Sequence, residues 1–391
     1  MSRIGREWLF AAVIAVVCIL LFNLDLAPPG PPAERGLHAR GLIVDVDNSR
    51  VRTNLIIKTE AQVLSVRLLD GPAKGEEIAV TNMLTGKLEL DEFYETGSVI
   101  LVEYDLLDGQ PAHGMARGHY RLQMQLLLIG CFVALLIGVA GVTGLKAALS
   151  FVFAALVLWK LYFPLLLLGY PPIPTGLAVV AVLTGVVTFS VGGLTRRGIA
   201  TFSGSMLGVL LTCGLAVWFA HAFNLHGAIR PFAESLLYSG YYELRLTDIF
   251  IASVFIASSG AVMDLAMDIA ASMEEIKLSQ PDIGVLEHIA SGLRVGRAVI
   301  GTMTTTLLLA YSSSHICMFL LFMAKGLPAE NILNAPFVAA ETLNILVGSF
   351  GLITVAPFTA LIAGLLYQTK LGPAKLGLAS WIRLVSRNET A

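Results

Sequence analysis

Asp264 and Asp268 stand four residues apart in a stretch of otherwise small and apolar side chains. That spacing puts both carboxylates on one face of a helix. Two carboxylates this close raise the proton affinity of at least one of them, which suits a proton relay or a pair of cation ligands. Along the same face lie Gly260, Ala257 and Ser253, positions that let another helix approach closely or line a pathway. The competing reading makes Asp268 a helix-end residue and Asp264 a polar packing residue.

A second polar group follows at Thr302, Thr304, Thr305 and Thr306, and a third at Ser312, Ser313, Ser314 and His315. Thr305, Ser312 and His315 share one helical stripe. Threonine hydroxyls commonly return to a carbonyl one turn back, whereas histidine can titrate near neutral pH. Further on, Glu341, Asn344, Gly348 and Gly351 fall on one face; Glu341 is close enough to the end of its stretch to reach the interface instead. The candidates for a polar bundle interior or transport path are therefore Asp264, Asp268, Thr302, Thr305, Ser312, His315, Glu341 and Asn344. No catalytic residues are assigned. The chain has no G-x-S-x-G, H-E-x-x-H or P-loop pattern, and each of those chemistries needs its motif. An aspartyl dyad needs carboxylates from two elements, but Asp264 and Asp268 share one. An enzyme, a bound cofactor and an ATPase engine are not expected; whether a metal binds is left open.

The elements that must hold these residues follow from composition. Of 391 residues, 56% are apolar and 14% charged, against roughly 25% charged in soluble domains. Mean hydropathy is +0.76. A net charge of −2 offers no basic field for nucleic acid. Cys18, Cys131, Cys213 and Cys317 are scattered in apolar runs without a CxxC pair and read as packing residues.

A spanning helix needs about 20 apolar residues. Eight stretches meet that length: roughly 8–26, 122–143, 145–169, 174–194, 199–222, 248–269, 299–323 and 337–367, the last with a kink expected at Pro357. The first, preceded by Arg3 and Arg6, reads as a retained anchor over 1–26 rather than a cleaved signal peptide. With both termini cytoplasmic, twelve Lys and Arg lie in inside segments and three, Arg230, Arg245 and Lys325, in short outside loops, as the positive-inside rule requires.

Residues 27–121 form the one water-soluble segment. After the stiff Pro28-Pro29-Gly30-Pro31-Pro32 linker, β-rich runs at 41–46, 54–58, 62–69, 77–80 and 98–104 alternate with breakers such as Asp47-Asn48-Ser49 and Asp70-Gly71-Pro72. Five short strands predict a small barrel of the OB or SH3 kind. Residues 122–369 would then form a seven-helix membrane domain and 370–391 a cytoplasmic tail. The 270–298 loop is amphipathic around a break at Ser279-Gln280-Pro281-Asp282 and is expected to lie in the interface. The fold class is thus an α-helical polytopic membrane protein of about eight transmembrane helices, with an all-β barrel-like domain between the first two.

Three stretches carry a resemblance: Ser65-Val66-Arg67-Leu68-Leu69-Asp70-Gly71-Pro72-Ala73-Lys74-Gly75-Glu76, Ser258-Ser259-Gly260-Ala261-Val262-Met263-Asp264-Leu265-Ala266-Met267, and Gly301-Thr302-Met303-Thr304-Thr305-Thr306-Leu307-Leu308-Leu309-Ala310-Tyr311. In this order they resemble the YibE/F-like family of bacterial multi-spanning membrane proteins over nearly the whole chain. The resemblance implies a multi-pass protein of the bacterial plasma membrane, with the β domain outside the cytoplasm, and a permease without an assigned substrate. The expected function is a secondary transporter, ion- or proton-coupled through Asp264, with the lipid bilayer as its surroundings. The alternative is a non-transporting scaffold or sensor whose β domain binds an envelope protein or a small-molecule ligand. Nothing in the sequence speaks to oligomeric state.

Overall fold

The computed structural model describes residues 3–24, 26, 36–107 and 109–368, with side chains from Ala11 onward. The Pro-rich linker, the 370–391 tail and the side chains of Arg3 and Arg6 lie outside the described residues. The chain divides into two compact units, one formed by Met1–Pro29 with Leu136–Ala391 and the other by Gly30–Leu135.

In the smaller unit, six strands follow one another: β1 (Leu37–Asp47), β2 (Arg52–Asn54), β3 (Ile57–Leu68), β4 (Glu77–Thr85), β5 (Val99–Leu107) and β6 (Gln110–His119). β1 pairs with β5 through its first half and with β3 through its second, with an irregularity between Ile43 and Asp45. That change of partner closes the ring β1-β5-β6-β4-β3, and β4 and β6 run parallel. A five-stranded Greek-key ring of this order is the OB type, not the SH3 type. Alternation along each strand buries Ile43, Leu64, Val66, Val80, Ile100, Val102 and Tyr104 in one core. Next to that core, the fully buried Gln62 donates to the Tyr94 carbonyl at 2.9 Å and accepts from Asn82 Nδ2 at 3.1 Å.

Two local expectations differ from what is observed. Residues 54–58, read as a strand, hold a reversal, because Asn54 pairs with Ile57 across a two-residue loop, Leu55-Ile56. β6 was not expected at all. Its residues Gln-Pro-Ala-His-Gly-Met-Ala-Arg-Gly-His include no Val, Ile, Thr, Tyr, Phe or Trp, so only pairing with β5 and β4 makes them a strand.

The larger unit begins with α1 (Arg3–Phe22) and continues through α2 (Leu122–Leu156), which crosses from one unit to the other. A π-helical turn at Val157–Tyr162, α3 (Phe163–Leu167), α4 (Pro172–Gly192) and α5 (Arg196–Ala222) come next. A 3₁₀ turn at Gly227–Ile229 leads to α6 (Ala233–Tyr238), α7 (Leu246–Ser279), α8 (Val285–Ser313), α9 (Ile316–Ala324), α10 (Ala329–Asn334) and α11 (Pro336–Gln368). α11 packs along α5, α8 and α7, and α7 packs against α4, α5 and α8 as well. One cluster including Phe255, Val262, Leu265, Ile269, Leu352 and Val355 fills their centre.

Among the described residues, five helices are long and apolar enough to cross a membrane, or six if α8 and α9, bent by 68°, count as one span. The expected number was eight. The stretches expected at 122–143 and 145–169 adjoin without a loop and count as one run, Leu122–Leu167, in that tally, although two helices meet there across a kink. The run would measure about 70 Å if straight, but Gly141, at φ +57 and ψ −130, interrupts it. A side chain at Gly144 would collide with the Leu136 carbonyl, a group that a straight helix would hold about 12 Å away. In the first stretch, the described apolar residues Ala11–Phe22 are fewer than a span requires.

The 270–298 segment also differs from expectation. α7 runs on to Ser279 and α8 begins at Val285, so the expected break is present but no separate interfacial helix follows it. Its apolar side points inward: a side chain at Gly364 would collide with Ile289, and the buried His288 lies with Nε2 2.8 Å from the Met273 carbonyl.

Candidate functional site

Glu341 sits in the first turns of α11 with its side chain 5% exposed. A lone carboxylate there would be costly, since charge in a membrane interior needs a partner. The partner is Arg230, from the connection between α5 and α7, with Nη1 3.5 Å from Glu341 Oε2. The Arg230 guanidinium also lies over the Phe250 ring, 5.1 Å from its centroid, an arrangement that attracts a cation. His315 completes the group: its Nδ1 is 3.8 Å from Glu341 Oε2 and 3.3 Å from the Tyr311 carbonyl.

Local backbone features bring these three together. His315 is where α8 ends and α9 begins, at the 68° bend, so the imidazole emerges from a helix break. Interrupted helices place polar groups where a continuous one would turn them along its own axis. Arg230 is held by the 3₁₀ turn at Gly227–Ile229, which packs on α7. Gly227 permits that approach, since a Cβ there would run into the backbone of Leu246, and its N–H donates to Thr247 Oγ1 at 3.3 Å.

Beside the cluster is a cavity of about 530 Å³ lined by Arg230, Phe232 and Leu236 from one side, Ile249, Phe250, Ser253 and Ala257 from α7, and Asn344 from α11. Apolar walls with a few converging polar groups describe a small-molecule site. Asn344 is 7% exposed, and its Oδ1 is buried without a hydrogen-bond partner among the described residues. A buried acceptor left unpaired costs about 1–3 kcal/mol, so a donor in the cavity would recover that energy.

The structure therefore brings together Glu341, His315 and Asn344 and separates them from the other candidates. Asp264 and Asp268 are both exposed on α7 and have no ion-pair or hydrogen-bond partner among the described residues. They continue the exposed face formed by Ser253, Ala257 and Gly260, whose first two members line the cavity. Thr302 donates to the Val299 carbonyl at 2.9 Å and Thr305 to the Gly301 carbonyl at 3.1 Å, each within its own helix. Ser312 is half-buried one turn before His315. Arg230 was absent from the candidates because in the sequence it is only a loop charge; nothing in its spacing points to Glu341, 111 residues away. Among the described residues no group of three or more His, Cys, Asp or Glu is placed to hold a metal ion.

A family description, the YibE/F-like protein, matches residues 128–369. No curated protein matches the chain, and no solved structure does. The matched residues begin after the barrel and take in α4 through α11 with every candidate discussed above, and they amount to more than half of the chain: this protein belongs to the YibE/F-like family.

Proposed function

We propose that the chain is a secondary transporter of the bacterial plasma membrane whose coupling group is the Arg230–Glu341–His315 cluster. The observation that carries this reading is a buried carboxylate shared by a guanidinium and an imidazole, at a helix break, beside a cavity of about 530 Å³. Such a carboxylate can exchange its partner: when a proton or cation neutralises Glu341, Arg230 is released toward the cavity, and a substrate carrying negative charge can take its place. Protonation of His315 changes the same balance. The exposed Ser253–Asp268 face of α7 supplies a path from the cavity along the helix, with Asp264 and Asp268 as way stations for the cation. In this reading Asp264 supports conduction, while Glu341 couples it.

Purified protein in liposomes loaded with a pH-sensitive dye, under an imposed ion gradient and with fractionated bacterial metabolites, tests this. Wild type should give a fraction-dependent pH change. Glu341→Gln should abolish it, and Asp264→Asn should slow it. A well-folded Glu341→Gln protein with wild-type flux would overturn the assignment.

A further inference from the structure

The barrel carries an apolar tip where a turn would ordinarily be polar. The loop between β2 and β3 consists of Leu55 and Ile56, followed by Ile57. These side chains are 92%, 73% and 40% exposed. Leu55 adopts φ +55, a backbone region where Gly, Asn or Asp is the usual occupant of a two-residue hairpin. Three consecutive exposed aliphatics at a strained turn gain nothing for the fold in water. The neighbouring loop adds to them: Gly86 sits against Ile57, and just beyond it Leu88 and Leu90 are 63% and 52% exposed.

The register shows where this tip points. Val80 on β4 lies beside Gly114 on the parallel strand β6, so the end of β6 at His119 is level with Thr85, which pairs with Thr59. Ile57 lies two residues beyond Thr59 and the Leu55-Ile56 loop one step further, about 10 Å along the direction in which β6 is running. β6 continues with almost no linker. The Tyr120 N–H donates to the Val99 carbonyl at 2.9 Å, Arg121 pairs with Glu92 at 2.8 Å, and α2 begins at Leu122. The first residues of α2 belong to the barrel's own compact unit and open the most apolar of the candidate spans. The tip thus projects from the barrel end that passes directly into a membrane helix.

We propose that the barrel rests on the lipid bilayer through the Leu55–Ile57 hairpin, with Leu88 and Leu90 seated beside it at the boundary between headgroups and acyl chains. Arg52, paired with Glu60 at 2.9 Å, and Lys87 are exposed near the tip, where their stems can follow the apolar side chains down while the cationic ends lie at headgroup level. Contact through this patch fixes the barrel's tilt on the membrane, which the covalent connection at Arg121 would not fix by itself.

The test places an environment-sensitive fluorophore at Ile56→Cys in full-length protein with its four native cysteines replaced by alanine, reconstituted in phosphatidylethanolamine–phosphatidylglycerol liposomes. Leu107→Cys is the reference; that residue is 70% exposed on the β5–β6 hairpin at the opposite end of the barrel. The Ile56 probe should emit at shorter wavelength than the Leu107 probe. It should be quenched severalfold more by lipids carrying a shallow acyl-chain spin label, and severalfold less by iodide. Equal iodide quenching at both positions overturns the proposal, and so does shielding from iodide without lipid quenching, which would mean that a protein surface covers the tip. Should the cysteine-free chain fail to fold, hydroxyl-radical footprinting of the unmodified protein in nanodiscs asks the same question. Leu55 and Ile56 should then oxidise severalfold more slowly than Leu107 despite comparable or greater exposure, and equal rates refute the contact.

Discussion

Arg230 and Glu341 illustrate how one residue's environment depends on another far away in the chain. Removing one member of a buried ion pair leaves the other charged and unpaired, at about 3–5 kcal/mol for full burial. Arg230 keeps 30% exposure, so Arg230→Gln should destabilise by less, about 2–3 kcal/mol. The double variant Arg230→Gln with Glu341→Gln should recover most of that loss. Thermal unfolding in detergent reads both, and additive losses would mean that the two side chains are not coupled. In the barrel, burial opposes ionisation of Glu92, but the His119 N–H and the Arg121 guanidinium outweigh it and hold the carboxyl below its ordinary range. Asp91 is likewise held down, against its own desolvation, by the N–H and hydroxyl of Thr85 and the N–H groups of Gly86 and Lys87. A carboxyl depressed by folding stabilises above its unfolded value of about 4 and ceases to do so as pH falls through its folded value. Barrel stability should therefore be flat from neutral pH to about 5 and drop below about 4, and Asp91→Asn should flatten the drop in a denaturant titration at each pH.

Helix contacts in the larger unit depend on small residues at matching heights. Gly204, Gly208 and Thr212 recur every four residues on the buried face of α5, the spacing that lets backbones approach in a membrane. A side chain at Gly204 would strike Thr359 of α11, and one at Gly351 of α11 would strike Thr212. Gly208 is only slightly freer, with a Cβ there 3.0 Å from Val262. Gly204→Leu should therefore part α5 from α11 and lower stability by at least the about 1–3 kcal/mol of an overpacked core. Gly214→Ala, at a position with nothing within 4 Å, should be tolerated. Comparable unfolding midpoints for Gly204→Leu and wild type would count against this packing. The bend between α8 and α9 belongs to the same scale. The run of Ser312, Ser313 and Ser314 before His315 offers hydroxyls that compete with the backbone ladder, and Ser313 Oγ donates to the Ala310 carbonyl at 2.9 Å.

At the scale of the whole molecule, the barrel and the helices are separate compact units. The ring of strands buries its own core of twelve residues and contains its own polar network around Gln62. Residues 36–121 expressed alone should therefore fold and unfold cooperatively in urea, with a stability of a few kcal/mol, as befits a small domain. A broad, non-cooperative transition would mean that the barrel needs its membrane helices. Much of this architecture was legible in advance. Composition alone required a membrane protein, because 56% apolar and 14% charged residues cannot cover a soluble surface. The breakers at Asp47-Asn48-Ser49 and Asp70-Gly71-Pro72 marked real turns, and the order of motifs pointed to the family. Turn chemistry and hydropathy are local properties, carried by neighbouring residues. The choice of the OB over the SH3 closure and the strand β6 depended on partners distant in sequence, so no local pattern announced them. The same holds for the candidate site. Glu341, His315 and Asn344 were visible as polar residues in apolar helices, but Arg230 entered only through folding, and the exposed aspartates of α7 acquired their setting only when the cavity at Ser253 and Ala257 was formed. Residue type sets which chemistry is available at a position; the tertiary structure selects which of those groups meet, because the energy of a buried charge depends on the neighbours that replace its water.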